Sequence, residues 1–169
     1  MINRRALLTA GVALGALAAM SKYGEAEKMT TTEQTIDFMK LSDAEWRKRL
    51  DDAQYNVLRK HGTERAGTSP LNKEKRKGTF ACAGCDLPLF SSDTKFESGT
   101  GWPSFFQPLP NAIKTTADRS FFMTRTEVNC SRCAGHLGHV FDDGPKPTGL
   151  RYCMNGVAMK FVPEGGTSS

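Results

Sequence analysis

The chain has no apolar run long enough to cross a bilayer as a helix. Its most apolar stretch, residues 6–20, falls short of the roughly 20 residues required. Charge of one sign is also scarce: the net charge is +5, and +3 without Arg4 and Arg5 of the N-terminal leader, which excludes a dominant role in nucleic-acid binding. With 10 Phe, 2 Trp and 3 Tyr, the remaining composition predicts a single globular domain.

Residues 1–28 are predicted to form an export signal. Arg4 and Arg5 directly precede an uncharged Ala/Gly-rich stretch, which resembles a twin-arginine signal for proteins exported after folding. We therefore expect an exported, periplasmic protein. A general secretory leader remains open, and so does an uncleaved anchor that would keep the protein at the membrane. Residues 29–40 are polar and predict a linker, residues 41–163 the domain, and residues 164–169 a flexible tail.

The domain is predicted to be mainly β, with a helical N-terminal flank. Ser42 and Glu45 form a capping box, and Trp46, Leu50, Ala53 and Val57 follow at helical spacing until His61-Gly62. After Pro70 the apolar runs are short and are separated by Gly, Pro and Asp turns, which favours antiparallel strands. The runs that predict strands are residues 80–82, 120–128, 139–141, 151–155 and 157–162.

The five cysteines cannot all be paired in disulfides, because their number is odd. Cys82-x-x-Cys85 and Cys130-x-x-Cys133 have the spacing of two turns that each present two sulfurs to one tetrahedral Zn²⁺ ion, and Gly84 and Gly135 favour such turns. With four thiolates the ion has no open position, so its predicted role is structural. The alternative is disulfides, which an exported protein permits.

The fifth cysteine, Cys153, lies in a predicted strand where Arg151, Cys153 and Asn155 point the same way. A neighbouring arginine favours the thiolate and hence a nucleophile, and Asn155 can hydrogen-bond a polar group. The alternative is a buried, inert cysteine.

Two of the three histidines follow the second cysteine pair, in His136-Leu-Gly-His139. With Cys153 as nucleophile, general acid/base chemistry is the best physical fit, while a second metal site or core histidines remain alternatives. Asp143 or Asp142 could orient an imidazole.

Trp102 lies between glycine-rich and proline turns that would hold the indole rigidly. An indole wall suits a methyl or thioether group, although an ordinary core role is an alternative.

Together these residues resemble the B-type methionine-R-sulfoxide reductases, from about Leu41 to Val162. The motifs that carry the resemblance are His61-Gly62-Thr63-Glu64, the two cysteine pairs, Gly101–Phe105, His136–Phe141, Asp143-Gly144-Pro145, Pro147-Thr148-Gly149, and Arg151-Tyr152-Cys153 with Asn155. The resemblance implies two antiparallel β sheets with zinc away from the catalytic face.

The resemblance also implies residue roles and a reaction. Cys153 is the nucleophile, Trp102 receives the terminal methyl group of an oxidised protein or peptide, and His136 and His139 interact with the sulfoxide oxygen. Asp143, Arg151 and Asn155 match the other active-site positions. The expected chemistry converts methionine-R-sulfoxide to methionine and Cys153 to a sulfenic acid.

The chain departs from the family at Thr100, where many members have a resolving cysteine. Recycling is therefore expected from an external reductant, either a thioredoxin-like or glutaredoxin-like protein or a small thiol. A zinc-stabilised module that binds oxidised peptides without turnover, and a cysteine hydrolase using Cys153 and His139, are the competing functions. We expect a monomer.

Overall fold

The computed structural model describes residues 36–119 and 124–165. The predicted export signal, residues 29–35 of the predicted linker and residues 166–169 lie outside these ranges. None of the helices in the described ranges is long and apolar enough to cross a membrane.

The helical flank consists of α1 (Asp43–Arg49) and α2 (Asp52–Lys60), not the one continuous helix that the spacing predicts. The predicted capping box is present, with the Ser42 side chain accepting from the Glu45 N–H. The helix is broken at Leu50, whose backbone is extended. A second capping box follows, because the Asp51 carboxylate accepts from the Gln54 N–H.

This break changes which residues face the core. Tyr55, Val57 and Leu58 of α2 are buried, whereas Ala53, which continuous helical spacing assigns to the buried face, is exposed. The second capping box therefore restarts the helix with a new apolar stripe.

The predicted fold class is confirmed: the described residues form two antiparallel sheets with few helical residues. A three-stranded sheet has the order β2-β1-β9, and a six-stranded sheet has the order β3-β4-β8-β7-β6-β5. The strands are β1 (Gly78–Cys82), β2 (Pro88–Ser91), β3 (Lys95–Phe96), β4 (Ser104–Phe105), β5 (Ile113–Asp118), β6 (Arg125–Cys130), β7 (His136–Phe141), β8 (Arg151–Met154) and β9 (Met159–Pro163). Short 3-10 turns cover Pro70–Lys73, Ser92–Thr94 and Gly156–Ala158.

Some strands begin or end at other residues than the sequence predicts, because pairing with adjacent strands sets their limits. β7 begins at His136, three residues before the predicted start, since β6 pairs with His136 and β8 pairs with β7 from Gly138 onward. Residues 157 and 158 form part of a 3-10 turn and not of β9. Within the described residues β6 begins at Arg125, and residues 120–123 of the predicted strand lie outside them.

Aromatic side chains fill the space between the two sheets. Phe80 of β1, Phe90 of β2 and Phe105 of β4 are completely buried. Phe90 stacks on Phe105 with ring centroids 4.4 Å apart, and Phe80 meets Phe105 edge-on at 4.9 Å. Because these rings come from both sheets, their burial holds the sheets face to face.

Candidate active site and tetracysteine cluster

Strand register brings the candidate active-site residues into one row of the six-stranded sheet. Cys153 of β8 lies opposite Ser104 of β4 on one side and opposite His139 of β7 on the other. His139 lies opposite Glu127 of β6, and Glu127 lies opposite Thr116 of β5. Opposed residues of antiparallel strands share a face, so this row places the thiol beside an imidazole and then a carboxylate.

The close approach of β7 and β8 depends on Gly138. A Cβ atom at this position would collide with the carbonyl oxygen of Cys153. A glycine is therefore required directly behind the candidate nucleophile.

The partly exposed Cys153 opens into a small pocket of about 160 Å³. The predicted residues Trp102, His139 and Asn155 line this pocket together with Cys153. The remaining lining residues are Thr63, Arg125, Gly138 and Phe141. An aromatic wall, a thiol and an imidazole at one opening can hold a thioether-like group against a nucleophile.

Arg151 lies next to this pocket, held by Asp143. Its Nε and Nη2 atoms donate to the two carboxylate oxygens of Asp143 at 2.8 and 2.9 Å, and its guanidinium lies 4.4 Å from the centre of the Phe141 ring. Hydrogen bonding to Asp143 raises the pKa of Arg151, and that of Asp143 is lowered by Arg151. Asp143 therefore orients the guanidinium of Arg151 and not an imidazole, which is the partner that the sequence suggests. Asp142 is exposed.

The carboxylates that pair with the imidazoles are Asp118 and Glu127. His139 Nε2 lies 2.9 Å from Asp118 Oδ2, and His136 Nδ1 lies 2.5 Å from Glu127 Oε1. Burial lowers the pKa of His136, although its hydrogen bond with Glu127 acts in the opposite direction. Burial alone would raise the pKa of Glu127, but hydrogen bonds with His136, Asn129 and His61 outweigh it, so that pKa is lowered.

Asn155 is buried and ties the pocket to the segment after α2. Its Nδ2 donates to Leu137 O at 3.1 Å, and its Oδ1 accepts from the Glu64 N–H at 3.0 Å. The Glu64 carboxylate accepts from the N–H groups of Gly156 and Val157, while its carbonyl oxygen accepts from Trp102 Nε1 at 3.1 Å. The backbone of Glu64 thus holds the side chains of both Trp102 and Asn155 in place.

The loop before Trp102 brings Thr100 against Cys153. Gly99 and Gly101 adopt positive φ angles of 72° and 90°, which allow the tight turn. Thr100 Oγ1 lies 3.8 Å from Cys153 Sγ and 2.8 Å from Ser98 Oγ. The residue that replaces the resolving cysteine therefore contacts the candidate nucleophile directly.

The other four cysteines form a buried tetracysteine cluster: Cys82, Cys85, Cys130 and Cys133. Cys82 and Cys133 have their sulfurs 3.7 Å apart, and Cys85 and Cys130 have theirs 3.5 Å apart. These separations exceed the roughly 2.05 Å of a disulfide. They match the roughly 3.75 Å between sulfurs placed about 2.3 Å from a tetrahedral ion. The four residues can therefore hold one metal ion.

The chemistry of the thiols supports the same conclusion. Hydrogen bonding among the four cysteines raises the pKa of Cys82 and Cys133 and lowers that of Cys85 and Cys130, so the four thiols share protons. Four buried thiols cannot all become thiolates without a compensating cation. Arg59 and Arg132 donate to the carbonyl oxygens of Cys133 and Cys85 at 3.0 and 2.9 Å, which adds positive charge beside the cluster.

The two cysteine pairs have the same backbone turn. Asp86 N–H donates to Cys82 O and Ala134 N–H to Cys130 O, each at 2.9 Å. The left-handed residues of the turns are Asp86 and Ala134, not the glycines on which the sequence argument relied. Gly135 is instead needed for packing, since a Cβ there would lie 2.8 Å from Leu58 Cδ2.

Several residues of the site could not be identified from sequence reasoning. Asp118, Glu127 and Arg125 reach the site only through strand register, and no local motif marks them. Arg125 Nη2 donates to Asp118 Oδ2 at 2.6 Å and so connects the acid that pairs with His139 to the pocket lining. Thr63 and Glu64 belonged to a motif of the resemblance, but nothing in the sequence indicated what they contact.

Fold and site together define a class: a two-sheet β domain with two paired cysteine turns and a separate cysteine in an aromatic and imidazole pocket. The SelR domain family matches residues 50–163. The chain is 58% identical over 123 residues to a peptide methionine sulfoxide reductase MsrB of Pseudomonas putida, with 72% of this chain and 92% of that protein covered. An MsrB of Agrobacterium fabrum is 56% identical over 123 residues, 72% of this chain and 91% of the relative.

A plant relative, peptide methionine sulfoxide reductase B1 of the Arabidopsis thaliana chloroplast, is 55% identical over 126 residues, 74% of this chain and 62% of that protein. The chain belongs to the peptide methionine sulfoxide reductase MsrB family.

Proposed function

We propose that this enzyme reduces methionine-R-sulfoxide, in oxidised proteins or peptides, to methionine with Cys153 as the nucleophile. The observation that carries the proposal is the shared pocket of Cys153, Trp102 and His139. Trp102 would receive the terminal methyl group, and Arg151 places a positive charge beside Cys153.

The reaction balances as an oxygen transfer. The Cys153 thiolate attacks the sulfoxide sulfur while an imidazolium, His136 or His139, protonates the sulfoxide oxygen. The attack forms a sulfur–sulfur bond, and the oxygen, once fully protonated, leaves as water. A water molecule then attacks Cys153 Sγ and gives up a proton; this breaks the sulfur–sulfur bond, releases methionine and leaves Cys153 as a sulfenic acid. The substrate sulfur gains the two electrons that the cysteine sulfur loses.

An external thiol would complete the cycle, because position 100 is threonine. One thiol, from a thioredoxin-like or glutaredoxin-like protein or a small molecule, displaces water from the sulfenic acid and forms a mixed disulfide. A second thiol then releases Cys153 as a thiol.

The tetracysteine cluster would hold structural Zn²⁺. Cys82, Cys85, Cys130 and Cys133 supply four thiolates, which leaves no coordination position for substrate, so the ion contributes folding stability.

The test is reduction of separated R and S epimers of a methionine-sulfoxide peptide with dithiothreitol as reductant. Reduction of the R epimer alone is the expected result, since the family resemblance implies a chiral pocket in which Trp102 fixes the methyl group. Binding without turnover would favour a peptide-binding module, and an acyl-enzyme would favour a cysteine hydrolase.

Export through the twin-arginine signal belongs to the same proposal. Cell fractionation and N-terminal sequencing of the mature protein test it, with Arg4→Lys/Arg5→Lys as the matched variant. Retention of that variant in the cytoplasm is expected, and unchanged export would indicate a general secretory leader.

A further inference from the structure

A second group of potential metal ligands lies beside the catalytic pocket, apart from the four cysteines. His61 Nδ1 lies 2.8 Å and His136 Nδ1 2.5 Å from the same atom, Glu127 Oε1. The three atoms all lie within 4.8 Å of one another. From this geometry we propose that His61, Glu127 and His136 form a binding site for a divalent transition-metal ion of the zinc type.

The donor set selects the kind of ion. Two imidazoles and one carboxylate suit Zn²⁺ and its neighbours in the first transition row, whereas Mg²⁺ and Ca²⁺ prefer oxygen ligands. Ligand distances of about 2.0–2.2 Å require separations of roughly 3–3.5 Å between donor atoms. The two hydrogen-bonded separations therefore have to open by less than about 1 Å as the ion replaces the shared hydrogens.

The carboxylate already has supporting contacts of the kind that orient metal ligands. Asn129 Nδ2 donates to Glu127 Oε1 at 3.0 Å, and Thr116 Oγ1 donates to Glu127 Oε2 at 3.1 Å. These two side chains fix the plane of the carboxylate, and such outer contacts commonly determine metal affinity.

The site also has an entry path. The side chain of His136 is 3% exposed, that of Glu127 is 14% exposed, and that of His61 is 62% exposed. The three ligands thus run from the interior to the surface, where water can complete the coordination. The cavity they line, of about 350 Å³, shares Thr63, Arg125 and His139 with the catalytic pocket.

The backbone of His61 positions its imidazole at the site. His61 caps α2 in the left-handed conformation, with φ 56° and ψ 30°, although such positions favour glycine or asparagine. This conformation turns the chain at the end of α2 and places the imidazole against Glu127, 66 residues away in the chain.

An ion here would hold His136 through Nδ1, so its binding should slow sulfoxide reduction. This consequence rests on the proposed function, whereas the binding itself does not. The experiment therefore measures binding without substrate.

The experiment is equilibrium dialysis of the purified zinc-loaded protein against Zn²⁺, followed by metal analysis. Wild type is expected to hold one equivalent more than His61→Gly and Glu127→Gln. Glycine adopts the left-handed conformation without strain, and glutamine keeps the size of glutamate, so both variants should remain folded. His139→Asn is the matched histidine control and should keep the additional equivalent, because His139 pairs with Asp118.

Because the readout is the difference between proteins, it does not depend on the metal content of the tetracysteine cluster. Repeating the dialysis with Co²⁺ and recording the absorption spectrum identifies the ligands of the additional ion. We expect weak ligand-field bands and no new thiolate-to-cobalt charge-transfer band. Equal zinc content in wild type and both ligand variants would show that the three residues are only hydrogen-bonded to one another and bind no ion, which would overturn the proposal. Loss of the additional ion in His139→Asn but not in His61→Gly would overturn this ligand set.

Discussion

Cys153 is the residue on which the proposed reaction depends. Replacing it by serine should abolish sulfoxide reduction, because a hydroxyl of high pKa cannot replace a thiolate as nucleophile. The fold should persist, since the side chain is only partly buried and differs by one atom. Activity with dithiothreitol and circular dichroism of Cys153→Ser check both parts, and activity above a few per cent of wild type would remove Cys153 from this role.

In the proposed reaction, Thr100 leaves recycling of the oxidised enzyme to an external thiol. Its hydroxyl lies 3.8 Å from Cys153 Sγ, so a cysteine at this position has its sulfur within a short movement of the nucleophile. After one equivalent of substrate without reductant, Thr100→Cys should form a 100–153 disulfide, whereas wild type should accumulate the sulfenic acid.

Peptide mapping with a dimedone trap distinguishes these products, and Thr100→Ser serves as the matched variant that cannot form a disulfide. A wild-type disulfide between Cys153 and any of the other four cysteines would contradict external recycling. In wild type, excess peroxide should also drive Cys153 to the irreversible sulfinic state.

Glu127 raises the pKa of His136, one of the two imidazoles to which it is hydrogen-bonded. Burial lowers the pKa of His136 and Glu127 raises it, so Glu127→Gln should lower this pKa further. If protonated His136 donates to the sulfoxide oxygen, the rate falls as pH rises through its pKa. The alkaline limb of the kcat profile should therefore move to lower pH in the variant. An unmoved limb would exclude His136 as the proton donor.

At the scale of elements, the paired cysteine turns depend on close packing against α2. A Cβ on Gly135 would lie 2.8 Å from Leu58 Cδ2 and 3.3 Å from Cys133 Sγ. Gly135→Ala should therefore lower the free energy of unfolding by about 1–3 kcal/mol through overpacking. Gly84→Ala is the matched control with a smaller expected loss, because its nearest neighbour, Trp46 Cζ3, lies 3.3 Å away. Denaturant titration measures both, and equal stability of Gly135→Ala and wild type would show that the Leu58 side chain makes room without cost.

For the whole molecule, an ion in the tetracysteine cluster would cross-link the two sheets, since Cys82 belongs to β1 and Cys130 to β6. Removing it with a strong chelator under reducing conditions should destabilise the domain by about 3 kcal/mol or more, which lowers Tm by roughly 10 °C. Calorimetry before and after chelation measures this loss. An unchanged Tm, with metal analysis proving removal of one equivalent, would exclude a structural role.

Much of the molecule follows from short-range information in the sequence. The N-terminal capping box, the strands near Phe80 and Cys153, and the two cysteines within each Cys-x-x-Cys turn depend on spacings of two to four residues and on residue chemistry. Local backbone geometry determines such features, because neighbours in the chain are neighbours in space. The same local rules missed the second helix start at Asp51, since one continuous apolar spacing concealed it.

The tertiary structure alone decided which polar groups meet at the site. Asp118 pairs with His139 across 21 residues, Glu127 joins His61 to His136, and Arg151 pairs with Asp143. Strand register brings Asp118 to His139 and Glu127 to His136, and register depends on how whole strands bury their apolar faces. His61, at the end of α2, and Asp143, between β7 and β8, are placed by the packing of the helix and by the loop. No local spacing contains this information, so the sequence supplied the chemically active residues while the packing of the two sheets determined their partners.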